Sequence, residues 1–366
     1  MRRFCIRALV LAGLTTAAQA ANPVFEAQAA AARRLQPVNR ERVTADLKSA
    51  GLPASPAVWY AVPAMSDTMR LAWSYPEDGR LNVDLNIVAA QDEFEPASFQ
   101  LYSFADKRNV TLTPTLFKGE GGATMPAAAL DIKVVKLWFQ NGNGWISYFA
   151  DVGLKLIPEL LLHDEDMIRV DMEGVANYAR LKDASGERHV WISAPRELHE
   201  ATSFRPVADP FEDAKTLQPV TLKGGEFKQF FATLHVPAGQ KPGIYKGAIT
   251  VAEGGKRLFD IPVAIRVLPF TLPNARPYFD LDREMILSFM GGLSLSRIAD
   301  LHNCDHATAL RKYDEYLANL RNHGITHPSG VDQTEESLNI IRRHGFTTKP
   351  LIEAKSFAPW YGLNFG

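Results

Sequence analysis

A chain of 366 residues with 46% hydrophobic residues has material for two or three domains, and its formal net charge of −1 offers no basic surface for nucleic acid or an anionic membrane. Its two cysteines, Cys5 and Cys304, exclude a cysteine metal cluster. No histidine spacing asks for a metal, and nothing in the sequence asks for a cofactor.

The first residues read as an export leader. Arg2, Arg3 and Arg7 are the positive start, Ala8 to Leu14 the short apolar run, and Ala18-Gln19-Ala20 the small-residue exit, with cleavage after Ala20. The run is too short to span a bilayer, which takes roughly 20 apolar residues, and no later segment does better. The expected address is secreted or periplasmic, with no membrane insertion after cleavage. Loss of Cys5 with the leader leaves no second cysteine for an intramolecular disulfide with Cys304.

Residues 21–56 read as an alanine-rich helical segment without a strong apolar face, stopping at Gly51-Leu52-Pro53. Residues 57–272 change period. Leu81 to Ile87, Ser98 to Tyr102, Ile132 to Val135, Gly247 to Val251 and Ile261 to Val267 are short strand candidates broken by Gly and Pro clusters. This is the grammar of a β-sandwich region, either one large sandwich or two packed ones. Pro262 suggests an edge position or the first residue of its strand.

Residues 273–277 form a proline-punctuated linker, and 278–366 then read as β/α units. A helix is expected from a cap at Asp305 to His323, and a second from Asp332, with Glu335 at the capping-box position. Their ends echo each other, Leu320 to Thr326 and Ile341 to Thr347. Each has a basic last turn, a His, and a Gly suited to the left-handed cap. With Lys349 to Glu353 as a further strand, the expectation is a truncated (β/α)8 barrel. About three units fit, since a whole barrel takes about 250 residues, and the sequence then reads as a fragment of a longer protein. The fold class expected overall is multidomain, β followed by α/β.

Four phrases carry a family resemblance. Ala89-Ala90-Gln91-Asp92-Glu93-Phe94-Glu95-Pro96-Ala97-Ser98-Phe99-Gln100 is similar to the phrase A-A-x-x-E-x-E-x-x-x-F-Q of the N-terminal modules of secreted bacterial proteins related to glycoside hydrolase family 123. Ile157 to Asp166, Gln229 to Pro237 leading into Lys241 to Gly247, and Leu317 to Gly324 follow in the family's order. The resemblance implies a sandwich before a (β/α)8 barrel, a glycan substrate with N-acetylhexosaminides as the candidate class, and an adjacent Asp-Glu pair on a middle barrel strand. In that family the Glu protonates the leaving oxygen while the Asp orients the substrate's own acetamido group. No such pair occurs on the expected strands, so the catalytic carboxylates are expected beyond Gly366.

Other residues carry weaker signals. The acidic run Asp164 to Asp171 reads first as a solvated turn and only secondarily as a calcium site. Trp138, Trp145 and Tyr148 read as packing aromatics. Asp280, Asp282 and Glu284 alternate along the candidate first barrel strand. His327, Glu353 and Lys355 are candidate sugar contacts at strand ends, with Trp360 and Tyr361 as candidate platforms. The leading functional expectation is the N-terminal portion of a glycoside hydrolase. A non-catalytic glycan-binding or envelope module is the alternative, and a lyase on acidic polysaccharide would want a basic cleft that the sequence does not display.

Overall fold

The computed structural model describes residues 23–141, 154–183, 186–193, 213–273, 285, 287–289, 294–302, 304–328, 331 and 334–346. Helix α1 (Pro23–Ser49) opens the described chain. There follow β1 (Ala57–Val62), β2 (Arg80–Leu81), β3 (Leu85–Gln91), β4 (Phe94–Ser103), β5 (Lys107–Pro114), β6 (Phe117–Gly119), β7 (Thr124–Met125) and β8 (Leu130–Asn141). The rest of the β region is β9 (Leu154–Leu162), β10 (Ile168–Asp171), β11 (Ala176–Asp183), β12 (Gly186–Trp191), β13 (Val220–Leu222), β14 (Phe227–His235), β15 (Gly243–Glu253) and β16 (Lys256–Thr271).

Two large sheets share one core. The first runs β2-β1-β4-β14-β8-β9 and the second β13-β5-β15-β16-β3, with β6 and β7 attached beside β15. The alternation of β3 explains how they meet: Leu85, Ile87 and Ala89 are buried while Asn86 and Val88 are exposed. Phe99, Leu101, Phe230 and Val134 from the first sheet and Val110, Ile249, Val263 and Ile265 from the second belong to the same buried cluster. Phe99 stacks on Phe230 with ring centroids 5.4 Å apart. Burial of each such ring contributes about 1.5–3 kcal/mol.

Pro262 lies in the middle of β16, an internal strand, and so neither at an edge nor at the first residue of its strand, the two positions expected. It is tolerated because β3 begins its parallel pairing one residue later, at Val263↔Leu85. A third, smaller sheet, β10-β11-β12, lies off the end of β8.

Helix α1 is fastened to the first sheet. The Gln28 side chain acts as a strand in miniature on the edge strand β9: its amide donates to the Leu156 carbonyl at 3.0 Å and accepts from the Leu156 N–H at 2.8 Å. Further along, Val43 and Leu47 pack on Val58, Tyr60 and Val62. Asp46 accepts from the hydroxyls of Tyr60, at 2.6 Å, and Tyr75.

The described C-terminal residues do not form the start of a (β/α)8 barrel. They form α2 (Leu295–His302), β17 (Ser288–Phe289), β18 (His327–Pro328), α3 (His306–Asn322) and α4 (Glu335–Arg343). β17 and β18 pair in parallel over two residues each. The expected strand over Lys349 to Glu353 lies outside the described residues, as do Asp280, Asp282 and Glu284. The helices pack on one another: Leu295, Ile298, Tyr313, Leu317, Ile341 and Phe346 make a core of their own.

The echoed helix ends are present, with Gly324 at φ 77 and Gly345 at φ 74. A left-handed glycine cap ends helices in many contexts, so the echo reported helix termini and not barrel repeats. Asp305 caps α3 as expected, accepting from Thr308 N–H at 2.8 Å. Thr334, not Asp332, caps α4.

Candidate functional site

A groove of about 650 Å³ opens where the first sheet meets the small third sheet. Its making can be followed along β8. Leu130, Ile132 and Val134 point into the core. A bulge between Lys136 and Leu137 then shifts the register, and Phe139 becomes the next buried residue. The alternation therefore changes parity at Lys136, which a β-bulge does by re-aiming the side chain.

Lys228 stands on β14 two residues before Phe230, and Phe230 pairs with Val134. Continuing that register sets Lys228 opposite Lys136. Two lysines thus occupy core-facing positions at the end of the sheet, and both line the groove.

The acidic turn after β9 balances them. Glu165 receives the Lys228 ammonium at 2.5 Å and the Thr221 N–H at 3.0 Å. Its main-chain oxygen accepts from Lys136 Nζ at 2.8 Å. Burial lowers the Lys136 pKa below the ordinary lysine value, against the opposing pull of Glu165. Asp164 holds Arg180 of β11 at 2.6 Å and caps its own turn through Asp166 N–H at 3.0 Å.

Asp164 and Glu165 of the acidic run therefore make an ion-paired wall. Among the described residues no cluster of His, Cys, Asp and Glu is arranged to hold a metal.

Beside this wall, His163 is gripped from two sides. Its Nε2 lies 2.6 Å from Asp131 and its Nδ1 3.6 Å from Asp213. Asp213 also accepts main-chain N–H groups of His163, Asp164 and Ala214 at 2.8–2.9 Å. At Asp131 burial pushes the carboxyl up, but hydrogen bonds from Lys133 and His163 outweigh it and the net shift is down.

The first phrase of the resemblance is a hairpin device. Asp92 takes φ 61, and Glu93 accepts the Ala90 N–H at 2.6 Å across the β3–β4 turn. Phe94 stacks on His235 at 4.0 Å, and His235 Nε2 lies 3.0 Å from Asp92.

Of the candidate sugar contacts, His327 is in β18, partly buried, with its N–H donating to the Leu287 carbonyl at 3.0 Å and its Nδ1 3.0 Å from the Thr326 hydroxyl. Glu353, Lys355, Trp360 and Tyr361 lie outside the described residues, as do Trp145 and Tyr148. Trp138 is partly buried against the main core, and its Nε1 donates to Glu159 at 2.7 Å. The groove's cations were missed from sequence. The signal available was a lysine on a core-facing register, at Lys136 after Val134 and at Lys228 before Phe230.

No family model matches the chain, and no curated protein matches it. Among solved structures it is similar to a family 123 glycoside hydrolase from Clostridium perfringens, described for glycolipid glycan hydrolysis. The identity is 15% and the TM-score 0.44, over 76% of this chain and 37% of that one. It is also similar to AvmM, which catalyses macrocyclization in alchivemycin A biosynthesis, at 9% identity and TM-score 0.23, over 56% of this chain and 100% of that one. The N-terminal domain of PorA follows at 10% and 0.19, over 58% and 96%. The chain thus spans little more than a third of the hydrolase, and these TM-scores leave fold and function to this chain's own residues.

Proposed function

We propose that the chain is the glycan-binding portion of an exported, glycoside hydrolase-like protein, and that the groove beside Lys136 is where sugar is held. One observation carries the reading. Two of the phrases behind the family resemblance run into this groove, one supplying Glu165 and Asp166 and the other Gln229.

Sugar hydroxyls donate and accept at once, and the lining answers both needs, with carboxylates next to ammonium, guanidinium and amide groups. N-acetylhexosaminides are the first class to test, by the family 123 resemblance. The role this reading assigns to the chain is sugar binding, with no cleavage of its own. Export rests on the leader Met1 to Ala20, and N-terminal sequencing of the protein recovered outside the cytoplasm should begin at Ala21.

The test is a glycan array followed by calorimetry, with an aryl N-acetylhexosaminide assay alongside. Binding without turnover supports the reading. Turnover by the chain overturns its non-catalytic part, and silence on every glycan overturns it whole.

A further inference from the structure

The groove's charges are unequally answered. Arg70 is held by Asp78 through bonds of 2.8 and 2.6 Å, Arg180 by Asp164, and Lys228 by Glu165. Lys136 differs. Among the described residues its Nζ donates to a main-chain carbonyl, that of Glu165, and to no carboxylate, while an ammonium has three N–H bonds to offer.

Its position is built, not incidental. The bulge at Lys136/Leu137 places it at the parity change of β8, partly buried among core-facing neighbours. At the groove's margin Arg169 is exposed with its guanidinium 4.3 Å from the Tyr178 ring centroid, and Lys223 is exposed. The carboxylates that share the lining are differently disposed. Asp166 and Glu187 are exposed, and Glu226 accepts the Gln36 amide at 3.0 Å. A partly desolvated cation acts on a ligand through less screening than exposed acids do.

From this geometry we infer that the groove selects an anionic sugar, bearing a uronate carboxylate or a sulfate ester, and that Lys136 receives the anion. The inference rests on the reading of the groove as a glycan site and narrows it. It supplies the basic cleft that the sequence did not display, because its cations come from the segment before β2, from β8, β10, β11 and β14, and from the segment between β13 and β14.

The experiment is calorimetric titration of the chain with three probes: an oligogalacturonate, a sulfated galactan oligosaccharide lacking carboxylates, and a neutral chito-oligosaccharide. Wild type, Lys136→Met and Lys136→Arg are compared, each checked for an unchanged urea midpoint. A charge-assisted hydrogen bond corresponds to roughly a tenfold to hundredfold preference for an anionic probe.

That preference should collapse in Lys136→Met and survive in part in Lys136→Arg, with the carboxylate and sulfate arms identifying the anion. Equal affinity for neutral and anionic probes, or a preference unchanged in Lys136→Met, overturns the inference while leaving glycan binding intact. Failure of all three probes overturns the glycan reading with it.

Discussion

The Glu165–Lys228 pair ties the acidic turn after β9 to the end of β14, and its removal should be felt in stability. The side chains retain 23% exposure at Lys228 and 15% at Glu165, so the pair is neither free in solvent nor sealed. Exposed pairs contribute about 0.2–1 kcal/mol, whereas hydrogen bonds to charged groups contribute about 1.5–3 kcal/mol. Glu165→Ala leaves Lys228 facing Lys136 without its counter-charge, and the expected loss is about 2 kcal/mol.

A double-mutant cycle of Glu165→Gln and Lys228→Met should give a coupling of about 1–2 kcal/mol, measured by urea unfolding followed through tryptophan fluorescence. A coupling below about 0.3 kcal/mol would show the pair to be solvated and the groove wall untied. The same wall predicts that added calcium leaves the melting temperature unchanged, since Asp164 and Glu165 are committed to Arg180 and Lys228. Stabilisation by calcium would refute that reading of the turn.

Three more outcomes follow from other parts of the molecule. A Cβ at Gly247 would stand 2.4 Å from Phe117 Cδ1, and Phe117 is fully buried, so Gly247→Ala should cost about 1–3 kcal/mol by chemical denaturation. Gln28→Ala removes both bonds to Leu156 and bares the edge of β9. It should lose about 1–2 kcal/mol and aggregate more readily by light scattering. Burial and then the Asp46 hydrogen bond push Tyr75 up to about 12, and the same causes raise Tyr60 further. Folded values above the ordinary tyrosine value mean stability present below about pH 10 and lost as pH rises through the folded pKa. Asp46→Asn should narrow that alkaline window in a tyrosinate absorbance titration, and an unchanged curve would deny the cluster its role.

Much of the β region was legible because alternation is local. Of the expected strand Leu81 to Ile87, Leu85-Asn86-Ile87 lies in β3 with its alternation as read, whereas Leu81 ends β2 and Asn82 turns between them at φ 47. The cap at Asp305 was legible for the same reason, since a capping side chain acts within three residues.

The barrel was misread because a helix, a glycine and an extended residue repeat without saying what the helices pack against. Here they pack on each other. Pro262 misled in a similar way, because a proline marks a missing donor but not which neighbour is absent there.

The groove was illegible because register, not spacing, makes it. Only the pairing of Phe230 with Val134 brings Lys228 toward Lys136. The bulge that re-aims Lys136 is likewise a property of two strands together.

The central claim is that this groove holds sugar. Hydrogen exchange of the chain with and without an excess of the best array-selected oligosaccharide tests it most directly. The account predicts slowed exchange around Glu165 to Val170 and Lys223 to Gln229, with the β3–β4 hairpin at Asp92 unchanged. Protection confined to that hairpin or to α3 and α4, with the groove unaffected, would contradict it.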